Sequence, residues 1–361
     1  MNFSMSYKRR LIAFHLPQFH PIPENDEWWG RGFTEWTNTA KAKPLFTGHY
    51  QPHIPADLGF YDLRLAESRA AQAEMAKKYG LEGFCYYHYW FAGKQLLERP
   101  FAEILESREP NFGFCLCWAN QTWTGVWHGS PNRILIEQTY PGDKDHREHF
   151  NHLLPAFQDS RYIKVDGKPI FVIYRPTEIP DVRKTMDLWQ EMAVKSGLKG
   201  LHLVGVASAD WIPQEHGFDA SITSKLPRLR GWVSWRTPVK KFFRLYQEMR
   251  GHPVIYSYEK IMPDLVHKPM SGIENYPCVI PNWDNTPRSG RNGLVLHGST
   301  PELFRKHFRE ALGLVQNLPE ERQFVFIKSW NEWAEGNHLE PDLKHGHAYL
   351  EVVAQELNEV K

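Results

Sequence analysis

Short apolar runs alternate along this chain with longer stretches in which apolar residues recur at helical spacing. The runs of strand composition are Leu11–Leu16, Gly83–Trp90, Phe112–Trp118, Pro169–Tyr174, Leu201–Ala207, a weaker Asp219–Thr223, Cys278–Trp283 and Phe324–Trp330. Between them the spacing predicts helices over Arg64–Tyr79, which Gly80 stops, and over Phe101–Ser107, Asp145–Phe157, Asp181–Lys195, Val239–Arg250, Pro301–Gln316 and His347–Val360. Strands and helices in this alternation predict an α/β fold, a (β/α)8 TIM barrel filling a single domain over residues 8–361. A doubly wound open sheet would alternate in the same way. It would be expected to carry G-x-G-x-x-G after its first strand or a G-x-x-x-x-G-K-[ST] loop, and neither occurs.

The expected strands turn aromatic and polar at one end, the C-terminal end, where barrels of this kind place their functional residues. The candidates there are His15 and Gln18, then Tyr87, His88 and Trp90, then Trp118 and Asn120, then Tyr174, then Asn282 and Trp283. The last run adds Trp330 and Asn331 and passes into Glu332-Trp333-Ala334-Glu335-Gly336. Two carboxylates three residues apart can cap a helix or form ion pairs. Set between tryptophans at a strand end, Glu332 and Glu335 also fit the pair of acids that glycosidic chemistry uses, one to protonate the leaving oxygen and one to act at the sugar. Aromatic faces pack on the apolar faces of sugar rings, so the tryptophans and tyrosines belong to the same expectation of a glycan or oligosaccharide substrate.

Composition narrows the alternatives. Lys plus Arg number 43 against 42 Asp plus Glu, so the chain has no basic field for nucleic acid. Cys85, Cys115, Cys117 and Cys278 all lie in apolar runs without metal-knuckle spacing, which reads as buried thiols in a reducing compartment. No apolar stretch reaches signal-peptide or membrane-spanning length, so the expectation is a cytoplasmic protein without an integral membrane segment. There are 18 histidines but no H-E-x-x-H; His15, His20 and His88 are assigned to sugar hydroxyls in preference to metal. The stretch Pro17–Leu63 is too long for an idle connector and is expected to cover the pocket mouth, with Glu24, Asp26, Glu35 and Asp57 solvated or ion-paired. A second long loop, Ser224–Tyr276, carries Lys225, Arg228, Arg230, Arg236, Lys240, Lys241 and Arg244. It is either a solvated face or a subsite for an anionic sugar or carrier.

The segment Asn331-Glu332-Trp333-Ala334-Glu335-Gly336, followed by Leu339-Glu340-Pro341, resembles the signature of the endo-α-mannosidase-like glycoside hydrolases of family 99, with Ala334 where those enzymes commonly carry a histidine. The N-terminal stretches AFHLPQFHPIPENDEWWGRGFTEW, KAKPLFTGHYQPHIPADLGFYDLR and GFCYYHYWFAGK resemble the WbsX-type branch, whose members are usually described as glycosyltransferases or polysaccharide-biosynthesis proteins. The resemblance implies a (β/α)8 barrel whose chemistry needs no metal or organic cofactor. It also implies that Glu332 acts as base toward a sugar 2-hydroxyl and Glu335 as acid and then base, through a 1,2-anhydro sugar with overall retention. The expectation is a retaining endo-acting hydrolase or transglycosylase on a mannose-like or surface-polysaccharide glycan. A glycosyltransferase of O-antigen or capsular polysaccharide assembly and a non-catalytic glycan-binding barrel remain the alternatives.

Overall fold

The computed structural model describes residues 9–125, 130–208, 210–223, 226, 252–266 and 272–359. The strands that form the barrel are β1 (Arg10–His15), β2 (Gly83–Phe91), β3 (Gly113–Trp118), β4 (Lys168–Ile173), β5 (His202–Val206), β6 (Ala220–Thr223), β7 (Asn275–Val279) and β8 (Phe324–Ile327). Every neighbouring pair is parallel, and both β2 and β8 pair with β1, so the sheet closes on itself as the alternation predicted. Leu11, Val172, Val204, Ile222 and Phe326 are completely buried, as befits strands covered on both faces.

The helices follow the sequence pattern with small shifts at their ends. Two lie within the first long loop, α1 (Pro23–Trp29) and α2 (Glu35–Lys41). The others are α3 (Ala66–Lys78), α4 (Arg99–Ser107), α5 (Asp143–Gln158), α6 (Val182–Lys195), α7 (Pro301–Val315) and α8 (Ala348–Glu359). α7 packs on β7 and β8, and α8 packs on α7. Phe304, Phe308, Ala311 and Val315 recur at three- and four-residue spacing and form the buried stripe of α7. The helix expected over 239–250 and the basic residues from Lys225 to Arg244 lie outside the described residues.

Two strands depart from expectation: the eighth, expected to reach Trp330, ends at Ile327. The seventh, expected over Cys278–Trp283, is Asn275–Val279. Its polar first residue is buried because the Asn275 amide donates to Ser221 Oγ and Thr223 Oγ1 on β6, at 2.8 and 2.7 Å. That satisfied amide lets the strand begin three residues earlier than its apolar run. Pro281 and Asn282 then carry the chain off the sheet. The four cysteines are free and buried.

Candidate active site

The residue after each strand decides what reaches the barrel mouth. Past β8 the chain forms a small hairpin in which Asn331 pairs with His338 and Glu332 with Asn337. A single 3-10 turn, Trp333–Glu335, fills its tip, and Gly336 closes it with φ of 56°. A Cβ at Gly336 would stand 2.9 Å from the Asp284 Cβ, so only glycine fits both the conformation and the space. The Asp284 amide donates to the Glu335 carbonyl at 2.6 Å, locking the turn to the chain leaving β7. Asn331 fastens the hairpin to β1. Its Oδ1 accepts from Leu16 N–H at 2.7 Å and its Nδ2 donates to Leu16 O at 3.0 Å.

This framework aims Glu332 and Glu335 into a cavity of about 320 Å³. Leu16 and Gln18 line it after β1, Tyr87 and Tyr89 on β2, Gln121 and Trp123 after β3, Tyr174 after β4, Trp283 and Arg288 after β7, and Lys328 after β8. Trp29, from α1, forms part of the wall. All of these barrel contributions come from the C-terminal strand ends, where catalytic residues of this architecture sit.

The electrostatics of the cavity centre on Glu335. Its carboxyl is hydrogen-bonded to that of Glu332 and ion-paired with Arg288. Burial pushes it up, the Arg288 guanidinium opposes this, and Glu332 raises it further, leaving it at about 7. Arg288 is itself held on the far side by Glu35, whose two oxygens accept from Nε and Nη2, each at 2.9 Å. Bidentate pairing fixes the guanidinium plane. The second cation, Lys328, is buried beside Tyr174, to whose hydroxyl it donates at 3.1 Å, and stands 5.5 Å from the Trp283 ring centre. Burial works against the ammonium, but Tyr174, Glu332 and Glu335 more than offset it and hold the pKa above the ordinary lysine value.

A second buried carboxyl supports the hairpin from behind. Glu340 accepts from Tyr61 OH at 2.9 Å, Gln72 Nε2 at 2.7 Å and Trp333 Nε1 at 2.5 Å. Burial lifts it to about 7 against the pull of those donors. The first long loop thus does more than cover the mouth. α2 supplies Glu35 to Arg288, and Trp36 of the same helix leans on Trp333 with ring centres 5.6 Å apart. Of the other acids in that loop, Glu24 pairs with Lys94 and Asp57 with His347.

The structure therefore brings together Gln18, Tyr87, Tyr174, Trp283, Glu332 and Glu335 of the residues expected at the site. The others stand elsewhere, mostly because strand side chains alternate between faces. Tyr87 and Tyr89 point into the barrel, so His88 and Trp90 point out onto α5, where His88 meets His149 at 2.9 Å and Trp90 donates to Asp145 at 3.0 Å. Trp118 packs against His149 and Trp189 in the same outer layer. His15 faces Gln72 of α3 at 3.2 Å, and its burial lowers it to about 4. Burial lowers His88 to about 3, so both rings are neutral packing groups. His20 bonds Pro17 O at 3.0 Å, and the three histidines do not converge. Asn120 ties two loops together through Tyr140 OH and the Arg175 backbone. Trp330 packs on Phe84 with ring centres 5.1 Å apart, and Asn331 is spent on Leu16. Asn282 lines a separate, smaller cavity beside Gly336.

Sequence reasoning missed Arg288, Lys328, Trp29 and the role of Glu35, whereas Trp123, expected at the end of the third strand, does line the cavity. A lone lysine closing the apolar run Phe324–Ile327 was a readable signal for Lys328. Arg288 had none, since it sits on a four-residue helical turn, Thr286–Ser289, within a loop.

Similarity to known proteins bears on the family and the fold. Two proteins named "Uncharacterized protein WxcX", from Xanthomonas campestris pv. campestris strains B100 and ATCC 33913, are each 39% identical over 353 residues. The match takes in 96% of this chain and 49% of theirs, so the chain spans about half the length of the curated relatives it matches. A GH99 endo-alpha-mannosidase from Bacteroides thetaiotaomicron superposes over 97% of both chains with a TM-score of 0.56 and 16% identity. A "glycoside hydrolase-like protein" does so over 97% of this chain and 94% of its own, with a TM-score of 0.57 and 15% identity. At those identities the likeness establishes the shared barrel fold. Among the described residues no helix is long and apolar enough to cross a membrane. Residues 11–353 match the family described as "Glycosyltransferase WbsX", and with that match over nearly the whole chain the protein belongs to the WbsX glycosyltransferase family.

Proposed function

We propose that this cavity breaks or transfers a glycosidic bond with retention of anomeric configuration, with Glu332 as base and Glu335 as acid. The observation that carries the reading is the placement of Glu332 and Glu335 together in one aromatic-lined cavity at the barrel mouth, where burial and Glu332 push the Glu335 carboxyl up. A proton shared by two carboxyls is the charge state that one acid and one base require. Substrate entering between them would separate the pair. Glu332 would take the proton of the 2-hydroxyl, whose oxygen attacks the anomeric carbon, while Glu335 delivers its proton to the departing oxygen. The resulting 1,2-anhydro sugar is opened at the anomeric carbon by a second hydroxyl, deprotonated by Glu335, and Glu332 returns the proton to O2. Two inversions give net retention.

Trp29, Trp123, Trp283 and Tyr87 supply apolar faces for sugar rings, and Lys328 and Tyr174 supply polar contacts. The fold shared with an endo-alpha-mannosidase favours a mannose-like residue and cleavage within a glycan chain. A transferase reading uses the same two glutamates, with an acceptor sugar in place of water; the description of the family favours it.

The test is a screen of defined oligosaccharides, with and without sugar acceptors, followed by NMR at early times. Retention is expected, Glu332→Gln should abolish turnover, and 2-deoxy analogues should be inert because they lack the attacking hydroxyl. First-formed products of inverted configuration, or 2-deoxy substrates reacting at comparable rates, would refute the mechanism.

A further inference from the structure

We infer a second site, a divalent transition-metal site of zinc type, built from His53, His338 and Asp342. One ligand atom from each of these buried residues lies within 4.8 Å of the other two. His53 and Asp342 come from opposite ends of the chain and meet only because the first long loop crosses the segment after β8. Two imidazoles and one carboxylate make a donor set that suits zinc and its neighbours among the divalent ions.

The geometry of His338 is the strongest part of the case. Its Nδ1 lies 2.9 Å from the backbone carbonyl of Glu340. A carbonyl oxygen only accepts, so Nδ1 carries the proton and Nε2 presents a lone pair. Metal-binding histidines are oriented in this way, with the ring N–H that is not facing the metal donated to a carbonyl or carboxylate. The ring is also clamped face to face on Trp333, centre to centre 3.8 Å and 13° from parallel. Its direction is therefore set without an ion. His53 is stacked on Tyr50 at 4.3 Å and points its Nδ1 at His338 Nε2, 2.8 Å away. Nitrogens at 2.0–2.1 Å from a tetrahedral zinc stand roughly 3.3 Å apart, so the rings need to open by about half an ångström. Asp342 is oriented by two backbone amides, those of Lys344 and His345, which donate to its Oδ1 at 3.1 and 2.6 Å.

These residues line the smaller cavity of about 80 Å³, large enough for a water molecule in the fourth position. The ion would staple the first long loop to the segment that follows Glu335. It stands outside the glutamate chemistry, so its test needs no substrate.

The experiment uses the full chain purified without a histidine tag, stripped with chelator and reloaded. Zinc content by mass spectrometry should reach one equivalent per chain, and thermal stability should rise on reloading. Cobalt(II) should give the intense visible bands of a four-coordinate ion. His338→Gln and Asp342→Asn should each lose the bands and the stabilisation, while His345→Ala, which changes the same cavity but none of the three ligands, should keep both. Far-UV circular dichroism in chelator establishes that each variant is folded. If His338→Gln fails that check, Asp342→Asn carries the comparison, because the aspartate amide keeps the shape of the side chain. Substoichiometric zinc with no cobalt bands in the wild-type chain, or His338→Gln and Asp342→Asn loading as well as wild type, would overturn the site and leave the triad as a hydrogen-bonded brace.

Discussion

Glu335→Gln removes one half-buried acid while preserving its shape, and its effect on stability should depend on pH in a defined direction. The folded state holds the Glu335 proton up to about 7, whereas an ordinary glutamate releases it near 4.5. Between those values the folded chain binds a proton that the unfolded chain does not. Stability is then lost as pH rises through the window and is fully retained below it. The size of the loss follows from the gap between the two values, about 3 kcal/mol at 1.36 kcal/mol per pH unit. Other groups titrate nearby. Glu340 shifts in the same direction, and buried His15 and His88 in the opposite one. Their effects cancel in the difference between variant and wild type. Urea unfolding of both proteins near pH 4 and near pH 8 gives that difference by linear extrapolation. The variant should gain about 3 kcal/mol on wild type between the two conditions. Glu332→Gln, which removes the like charge, should lower the Glu335 pKa and shrink the wild-type loss. A variant-minus-wild-type difference that is flat across this range, or that falls with rising pH, would show that Glu335 is not held protonated by its surroundings.

Further outcomes are expected, the last of them from the sequence alone. In catalysis, Glu335→Gln should slow substrates with poor leaving groups by roughly 10²–10⁴-fold and spare activated aryl glycosides, read as kcat/KM on the two kinds; equal losses on both would remove it as the acid. Arg288→Gln leaves buried Glu35 without its cation and should cost about 3–5 kcal/mol, with much of the loss recovered in the double variant Glu35→Gln/Arg288→Gln; additive losses would show that the pair is not coupled. Gly336→Ala should destabilise the fold by about 1–3 kcal/mol and depress activity, because the new Cβ meets Asp284; unchanged melting and turnover would show that the turn tolerates it. Neutralising Arg228, Arg230 and Arg236 should raise KM for anionic glycans more than for neutral ones, and equal kinetics would return that stretch to a solvated role.

How far the sequence could be read depended on whether a feature was periodic. The eight strands were legible because a parallel barrel buries both faces of each strand, leaving apolar runs that stand out between helical stretches. Glu332 and Glu335 were legible because two acids between tryptophans follow such a run directly. The mouth residues were only half legible. Along Tyr87, His88, Tyr89 and Trp90 both faces are aromatic, so composition does not say which points inward; register does, and register comes from β1 and β3. Arg288 and Glu35 were illegible for a different reason. They meet across 253 residues of chain, from a helix in one loop and a turn in another, and nothing local marks either one. Asn331 and Trp330 carried the right chemistry for a sugar site but are used to hold the hairpin, which geometry alone reveals.

The pairing of β1 with β8 has a consequence for how the chain reaches this shape during synthesis. β1 leaves the ribosome before β8, and the register from Arg10↔Phe324 to Ala13↔Ile327 can form only when everything from the one strand to the other has emerged. Until then one flank of β1 has no partner, and its apolar residues Leu11, Ile12 and Phe14 lie on an open sheet edge, the kind of surface on which nascent chains adhere to one another. The peptide that seals that edge is also the one that carries Lys328, Glu332 and Glu335. A polypeptide arrested before residue 324 therefore leaves that edge open and lacks both Glu332 and Glu335, so the cavity with its two glutamates exists only on chains that have closed.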